Sequence, residues 1–198
     1  MLQGLELIDW RNKDEVIGFY ESNKLYFDNY KVQTQPDSIL DMIDFKLTYC
    51  DALISEKHYT DCLDILTHIN ILVNKLDKVQ ISGYNSRYER YLFTEGMVLG
   101  RLKRYEESQN NFKELVRIDP KNDLYKDWYV SNKTNIIAKQ SNIVGYTGCG
   151  IIILDLILDI LFNIRLSKYV SLIGVVVMVL GFTYPYLLRK FSQMMKSL

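Results

Sequence analysis

Through the first 140 positions apolar residues recur at three- and four-residue spacing, and beyond position 142 they run almost unbroken. Ile39, Ile43, Leu47 and Cys50 form one stripe, and Cys62, Leu66, Ile69 and Val73 another. That period places apolar side chains on one face of a helix. Strand-like alternation is scarce and the chain holds only three prolines, so the pattern predicts an all-α fold. Pro36, Asp37 and Ser38 predict a helix start, since Asp or Ser accepts bonds from the free N–H groups of a first turn. The stretch from Ile81 to Ser86 reads as a loop. Asp119-Pro120-Lys121-Asn122 ends a further helix, because proline cannot donate the next backbone bond.

The apolar runs are Ile143 to Ile164 and Tyr169 to Leu188, 22 and 20 residues long. A hydrocarbon core takes about 20 residues of helix, so a transmembrane hairpin over 143–188 is expected, with Tyr184 and Tyr186 at the headgroup level. Lys126, Lys133 and Lys139 precede the first run, and Arg189, Lys190 and Lys196 follow the second in a basic tail over 189–198. Only Arg165 and Lys168 lie between the runs. Basic residues stay in the cytosol, so both termini and the domain before the hairpin are expected to face the cytoplasm. Met1 to Trp10 has no signal-peptide character, which agrees.

Asp155 and Asp159 interrupt the first run one helical turn apart. Each costs about 2.5–3.5 kcal/mol near the centre of a span. Two readings stay open: the carboxylates face a partner, a second copy or pore water, or the segment sits shallowly with Asp159 solvated near Arg165.

Self-similarity organises the rest. Lys103-Arg104-Tyr105-Glu106-Glu107-Ser108 is followed by Phe112, Leu115 and Pro120, and preceded by Gly96. Lys57-His58-Tyr59-Thr60-Asp61-Cys62 aligns with it 46 positions upstream, with Cys50 and Cys62 at the small positions and Leu66 in place of Phe112. Small residues let antiparallel helices approach, and large ones fill the space beside them. Residues 89–122, and more weakly 43–76, resemble the tetratricopeptide repeat, a helix–turn–helix unit of about 34 residues. Leu92, Glu95 and Leu115 depart from its pattern. A tetratricopeptide-like domain is expected over 36–140, with a capping helix at 124–140 and a packing helix within 1–35, around Asp14 to Tyr30.

Charge adds little to this picture. Residues 1–80 carry 8 Lys/Arg against 14 Asp/Glu, and residues 81–140 carry 11 against 8. The basic cluster Arg87, Arg90, Arg101, Lys103 and Arg104, with Tyr88 and Tyr91, belongs to no nucleic-acid motif, and nucleic-acid binding is not expected. Three cysteines make no disulfide framework. Cys50 and Cys62 read as packing residues, although a metal site from Cys50, His58 and Cys62 is conceivable at that spacing. No phosphate-cradling loop, metalloprotease motif or nucleophile elbow is present. Neither an enzyme nor a cofactor or metal is expected.

The resemblance implies partner binding on the concave face made by the first helices of the repeats. That face would carry Leu47, Asp51, Ile54 and Ser55 from one unit, and Arg90, Phe93, Met97 and Arg101 from the next, with the two arginines suited to an acidic partner. The layout is similar to the tail-anchored tetratricopeptide adaptors of organelle fission, apart from its double span. The expected function is a membrane-anchored adaptor or scaffold, able to self-associate. The alternatives are a pore-forming effector, or an immunity-type protein whose repeat domain senses a partner.

Overall fold

A computed structural model of the chain describes residues 8–28, 36–76, 83–162 and 168–196. It is all-α, with eight helices and no strand among the described residues. They are α1 (Lys13–Ser22), α2 (Lys24–Asp28), α3 (Pro36–Ser55), α4 (Tyr59–Leu76), α5 (Tyr84–Arg101), α6 (Tyr105–Ile118), α7 (Asp123–Phe162) and α8 (Lys168–Lys196). The chain divides into two compact units, Met1–Tyr129 and Val130–Leu198. The Arg165 turn, Ile81 and Ser82, part of the packing region before Tyr30 and the end of the basic tail lie outside the described residues, while Tyr84 to Ser86, expected in a loop, form the first turn of α5.

In the first unit α3 pairs with α4 and α5 with α6, and the two hairpins are equivalent residue by residue at an offset of 46. Both turns close the same way. The N–H of His58 donates to the Leu53 carbonyl at 2.9 Å and that of Lys57 to Ile54 at 3.0 Å; Arg104 donates to Leu99 at 2.9 Å and Lys103 to Gly100 at 3.1 Å. This paired 6→1 and 5→2 pattern is a Schellman cap, which needs a left-handed residue after the helix. Lys57 and Lys103 supply it, at φ 65° and 62°. A side chain there costs about 1 kcal/mol that glycine avoids. Lys57→Gly and Lys103→Gly are each expected to raise stability by about 0.5–1 kcal/mol, read from urea midpoints in mild detergent.

The small positions meet as the repeat requires. Ser108 Oγ donates to the Gly96 carbonyl at 2.6 Å. Their equivalents make softer contacts, Cys62 Sγ to the Cys50 carbonyl at 3.9 Å and Cys50 Sγ to that of Cys62 at 3.8 Å. A Cβ on Gly96 would lie 2.8 Å from the Phe112 ring. Phe112 in turn stacks on Trp128 of α7 at 5.3 Å, and Phe93 packs edge-on at 5.9 Å. The first turns of α7 therefore cover the last hairpin, as expected of a capping helix.

The same offset applied once more upstream reaches α1. Lys13, Tyr59 and Tyr105 each begin a helix. Val16, Cys62 and Ser108 are buried at the next equivalent position, and Tyr20, Leu66 and Phe112 at the one after. α1 packs on α3, so it acts as the second helix of a preceding half-repeat. Its joint with α3 is aromatic: Tyr20 stacks between Tyr49 at 3.8 Å and Phe27 at 4.9 Å. Buried Lys46 sends Nζ to the Phe27 carbonyl at 3.3 Å and lies 5.6 Å from the Tyr20 ring, which meets the need of a buried cation for an acceptor and a π face.

The second unit is an antiparallel pair formed by α7 beyond Tyr129 and by α8. Two segments, Asp123–Leu161 and Tyr169–Leu188, are long and apolar enough to cross a membrane, and in the most apolar window of each only 11% is buried. A core helix of a soluble protein would be mostly covered. Here Ile143, Leu156, Ile160, Leu161, Leu172 and Leu180 are exposed instead. The joint between the helices is made of small residues. A Cβ on Gly181 would lie 2.2 Å from the Gly145 nitrogen, and one on Gly148 2.4 Å from the Met178 nitrogen. Ser141, Gly145, Gly148, Ile152 and Asp155 on α7 meet Ser171, Gly174, Met178 and Gly181 on α8, at alternating steps of three and four. Phe182 closes over Gly145 and takes the Tyr146 ring edge-on at 5.4 Å.

Candidate partner-binding face and apolar hairpin

The face expected to bind a partner lies along α3 and α5, which pack side by side. Two cross-helix ion pairs tie them. Arg87 Nε donates to Asp44 Oδ2 at 2.8 Å, and Arg90 Nη2 to Asp51 Oδ2 at 2.6 Å, with Thr48 Oγ1 at 3.5 Å. Asp51 and Arg90 are thus brought together, and each is already a partner of the other. Leu47 is fully buried in the core. Phe93 is half-buried between Phe112 and Tyr125, each 5.9 Å away. Ile54 and Met97 are half-buried, Arg101 is exposed, and Ser55 donates to the Ala52 carbonyl at 2.6 Å. The surface is a charged ladder beside a shallow apolar strip.

The other candidate clusters are resolved into packing and pairing. Cys50 and Cys62 are buried against each other, while His58 is exposed and bonded to Asp61 at 3.2 Å. The hydrogen bond to Cys62, with burial, pushes the Cys50 thiol up, away from a metal-ligating thiolate. Of the basic cluster, Arg87 and Arg90 are paired as above, and Arg104 holds Glu107, whose carboxyl it keeps below the usual range.

In the hairpin Asp155 sits on the seam, where it accepts a hydrogen bond from Ser171 Oγ. Asp159 follows four residues later on α7. In the 22-residue run Ile143 to Ile164 Asp155 stands beside the midpoint and Asp159 five residues from the end, so the cost of burial in lipid falls below the mid-span value for Asp159. Asp155→Leu is expected to favour insertion of the apolar segment by about 3–4 kcal/mol, and Asp159→Leu by less. Glycosylation-mapped insertion of the isolated segment checks the order.

Two features carried sequence signals that went unread. The seam is visible as Ser141, Gly145 and Gly148 opposite Gly174 and Gly181. The α1 half-repeat is visible as Val16 and Tyr20, one 46-residue period before Cys62 and Leu66. No protein-family model matches the chain, and neither does any curated protein or solved structure.

Proposed function

We propose that this chain is a membrane-anchored adaptor: a tetratricopeptide-like domain holds a protein partner on the α3/α5 face, and the hairpin fastens it to a lipid bilayer. The observation that carries this reading is the pairing of two unlike surfaces in one chain. Hairpins repeating at 46 residues leave their first helices side by side, and the apolar stretches of α7 and α8 leave most of their apolar side chains exposed. The first arrangement offers a binding face without a nucleophile–base constellation, which favours a scaffold over an enzyme. The second offers surface that water disfavours and lipid accepts.

Both termini face the cytosol in this reading, since basic residues flank the outer ends of the hairpin. The bond from Ser171 turns Asp155 toward the chain's own second helix, which favours an anchor over a pore lined by carboxylates. Self-association through the outer faces of the hairpin is compatible with this role.

The test uses the full chain in cells, with a photo-crosslinking residue at Met97. A discrete protein adduct is expected in the alkali-resistant membrane fraction. Because Arg90 is already held by Asp51, charge reversal swaps that pair, Asp51→Arg with Arg90→Glu, and adds Arg101→Glu. Loss of the adduct supports the face; capture unchanged by all three substitutions removes it. A chain released by alkaline extraction removes the anchor.

A further inference from the structure

We infer that the cleft between α1, α3 and α4 is a recognition site for a lysine or arginine side chain presented by a partner protein. The site is separate from the α3/α5 face and stands whether or not that face binds anything.

The cleft encloses about 320 Å3. Its floor is apolar, formed by Ile17, Leu53 and Ile65, and its walls bring Glu21, Glu56, Asp61 and Asp64 around that floor, against Lys24 and His58. The fold supplies a comparison, because α4, α5 and α6 form a second cleft of about 290 Å3. Each residue lining the second is the 46-residue equivalent of one lining the first. The backbone frame is therefore the same, and the difference between the two lies in their side chains.

In the second cleft the charges are consumed internally. Arg104 bonds Glu107 at 2.6 Å, and Asn111 Nδ2 donates to Glu95 at 2.7 Å. Thr67 and Asn110 stand where the first cleft has Glu21 and Asp64. In the first cleft Glu21 accepts from the Tyr49 hydroxyl at 2.7 Å and Asp61 has His58 at 3.2 Å. Burial, then the bond to Glu21, pushes the Tyr49 hydroxyl pKa up, so it stays a donor. Lys24 Nζ lies 5.7 Å over the Tyr20 ring. The carboxylates of Glu56 and Asp64 have no hydrogen-bond or ion-pair partner among the described residues.

An apolar floor rimmed by two unengaged carboxylates fits an amphipathic cation. The methylene stem of lysine or arginine covers Ile17, Leu53 and Ile65, and the head forms charge-assisted bonds at the rim. A small inorganic cation would use the rim and leave the floor in water. The second cleft shows the same chemistry satisfied from within, by Arg104 on Glu107.

The experiment titrates full-length protein in neutral maltoside micelles with a fluorescein-labelled Arg/Ser peptide and a Glu/Ser counterpart, read by anisotropy. Saturable binding of the Arg/Ser peptide alone is expected, weakened about tenfold or more by Glu56→Gln with Asp64→Asn. Glu114→Gln with Asp123→Asn makes the same charge change outside the cleft and is expected to alter affinity less than about twofold. Glu56, Asp64 and Asp123 are exposed and Glu114 is half-buried, and unchanged helicity by circular dichroism confirms the fold. Equal weakening by both variants means diffuse charge attraction and overturns the site. So does an absence of saturable binding, or full displacement of the peptide by magnesium at matched ionic strength.

Discussion

Gly181→Leu is expected to open the α7/α8 hairpin. A Cβ at this position would sit 2.2 Å from the Gly145 nitrogen and 2.5 Å from its Cα, with the Ser141 carbonyl at 2.9 Å. These are backbone atoms of a facing helix, so no rotamer change relieves the overlap; the helices must separate. Separation removes the close contact of Gly148 with Met178 and Gly174 farther along the same seam, and helix association in lipid depends on that packing because no water is released. Overpacking of soluble cores costs about 1–3 kcal/mol, and a clash between two backbones is expected at or above the top of that range. Spin labels at positions 139 and 187, on the open side of the hairpin, check it: the distance distribution should lengthen and broaden in Gly181→Leu. A distribution identical to the parent would show that the seam does not hold the pair. Ser171→Ala, which deletes only the hydroxyl bonded to Asp155, should leave the distance unchanged.

The hairpin shows where the sequence was legible and where it was not. Length and apolarity alone placed the first segment on the C-terminal half of α7, which begins 20 residues earlier at Asp123, and the second on the apolar part of α8. Asp155 and Asp159 were legible as an anomaly, because an insertion cost is a property of the residue and its depth. Their destination was not legible, because facing requires register between two helices. Register becomes readable only when small residues are treated as contact points, and Gly145, Gly148, Gly174 and Gly181 hold that information.

The repeat domain divides similarly. Tyr59 and Tyr105 marked equivalent turns, and small residues at Cys50, Cys62, Gly96 and Ser108 marked the helix–helix joints found in the structure. A packing helix was legible around α1, but its place in the 46-residue period was not, because a lysine stands at the aromatic turn position and Val16 is larger than the small residues elsewhere. The candidate face shows a different gap. Arg90 and Asp51 were both placed on it, but that they bond each other depends on the stacking of α3 beside α5, a long-range relation that spacing within one helix does not contain. Leu47 is buried for the same reason. The acidic cleft required both insights at once, the α1 half-repeat and the three-helix frame it completes.

Phe112→Ala is expected to remove about 3–5 kcal/mol from the first unit, a large part of the 5–15 kcal/mol that holds a domain folded. The ring is wholly buried, stacked on Trp128, edge-on to Phe93 and pressed against Gly96. Its loss empties a space bounded by α5, α6 and α7, and the rigid neighbours on three sides limit collapse. In the parent, Gly96→Ala is expected to destabilise, because the added methyl would meet the ring at 2.8 Å. In the Phe112→Ala background the same methyl enters the cavity, and the substitution is expected to be neutral or stabilising. A double-mutant cycle should therefore show coupling of about 1 kcal/mol or more between the two positions, read from urea midpoints followed by tryptophan fluorescence. Additive effects would mean that Gly96 and Phe112 do not meet, and with them would go the small-against-large logic by which one hairpin packs on the next.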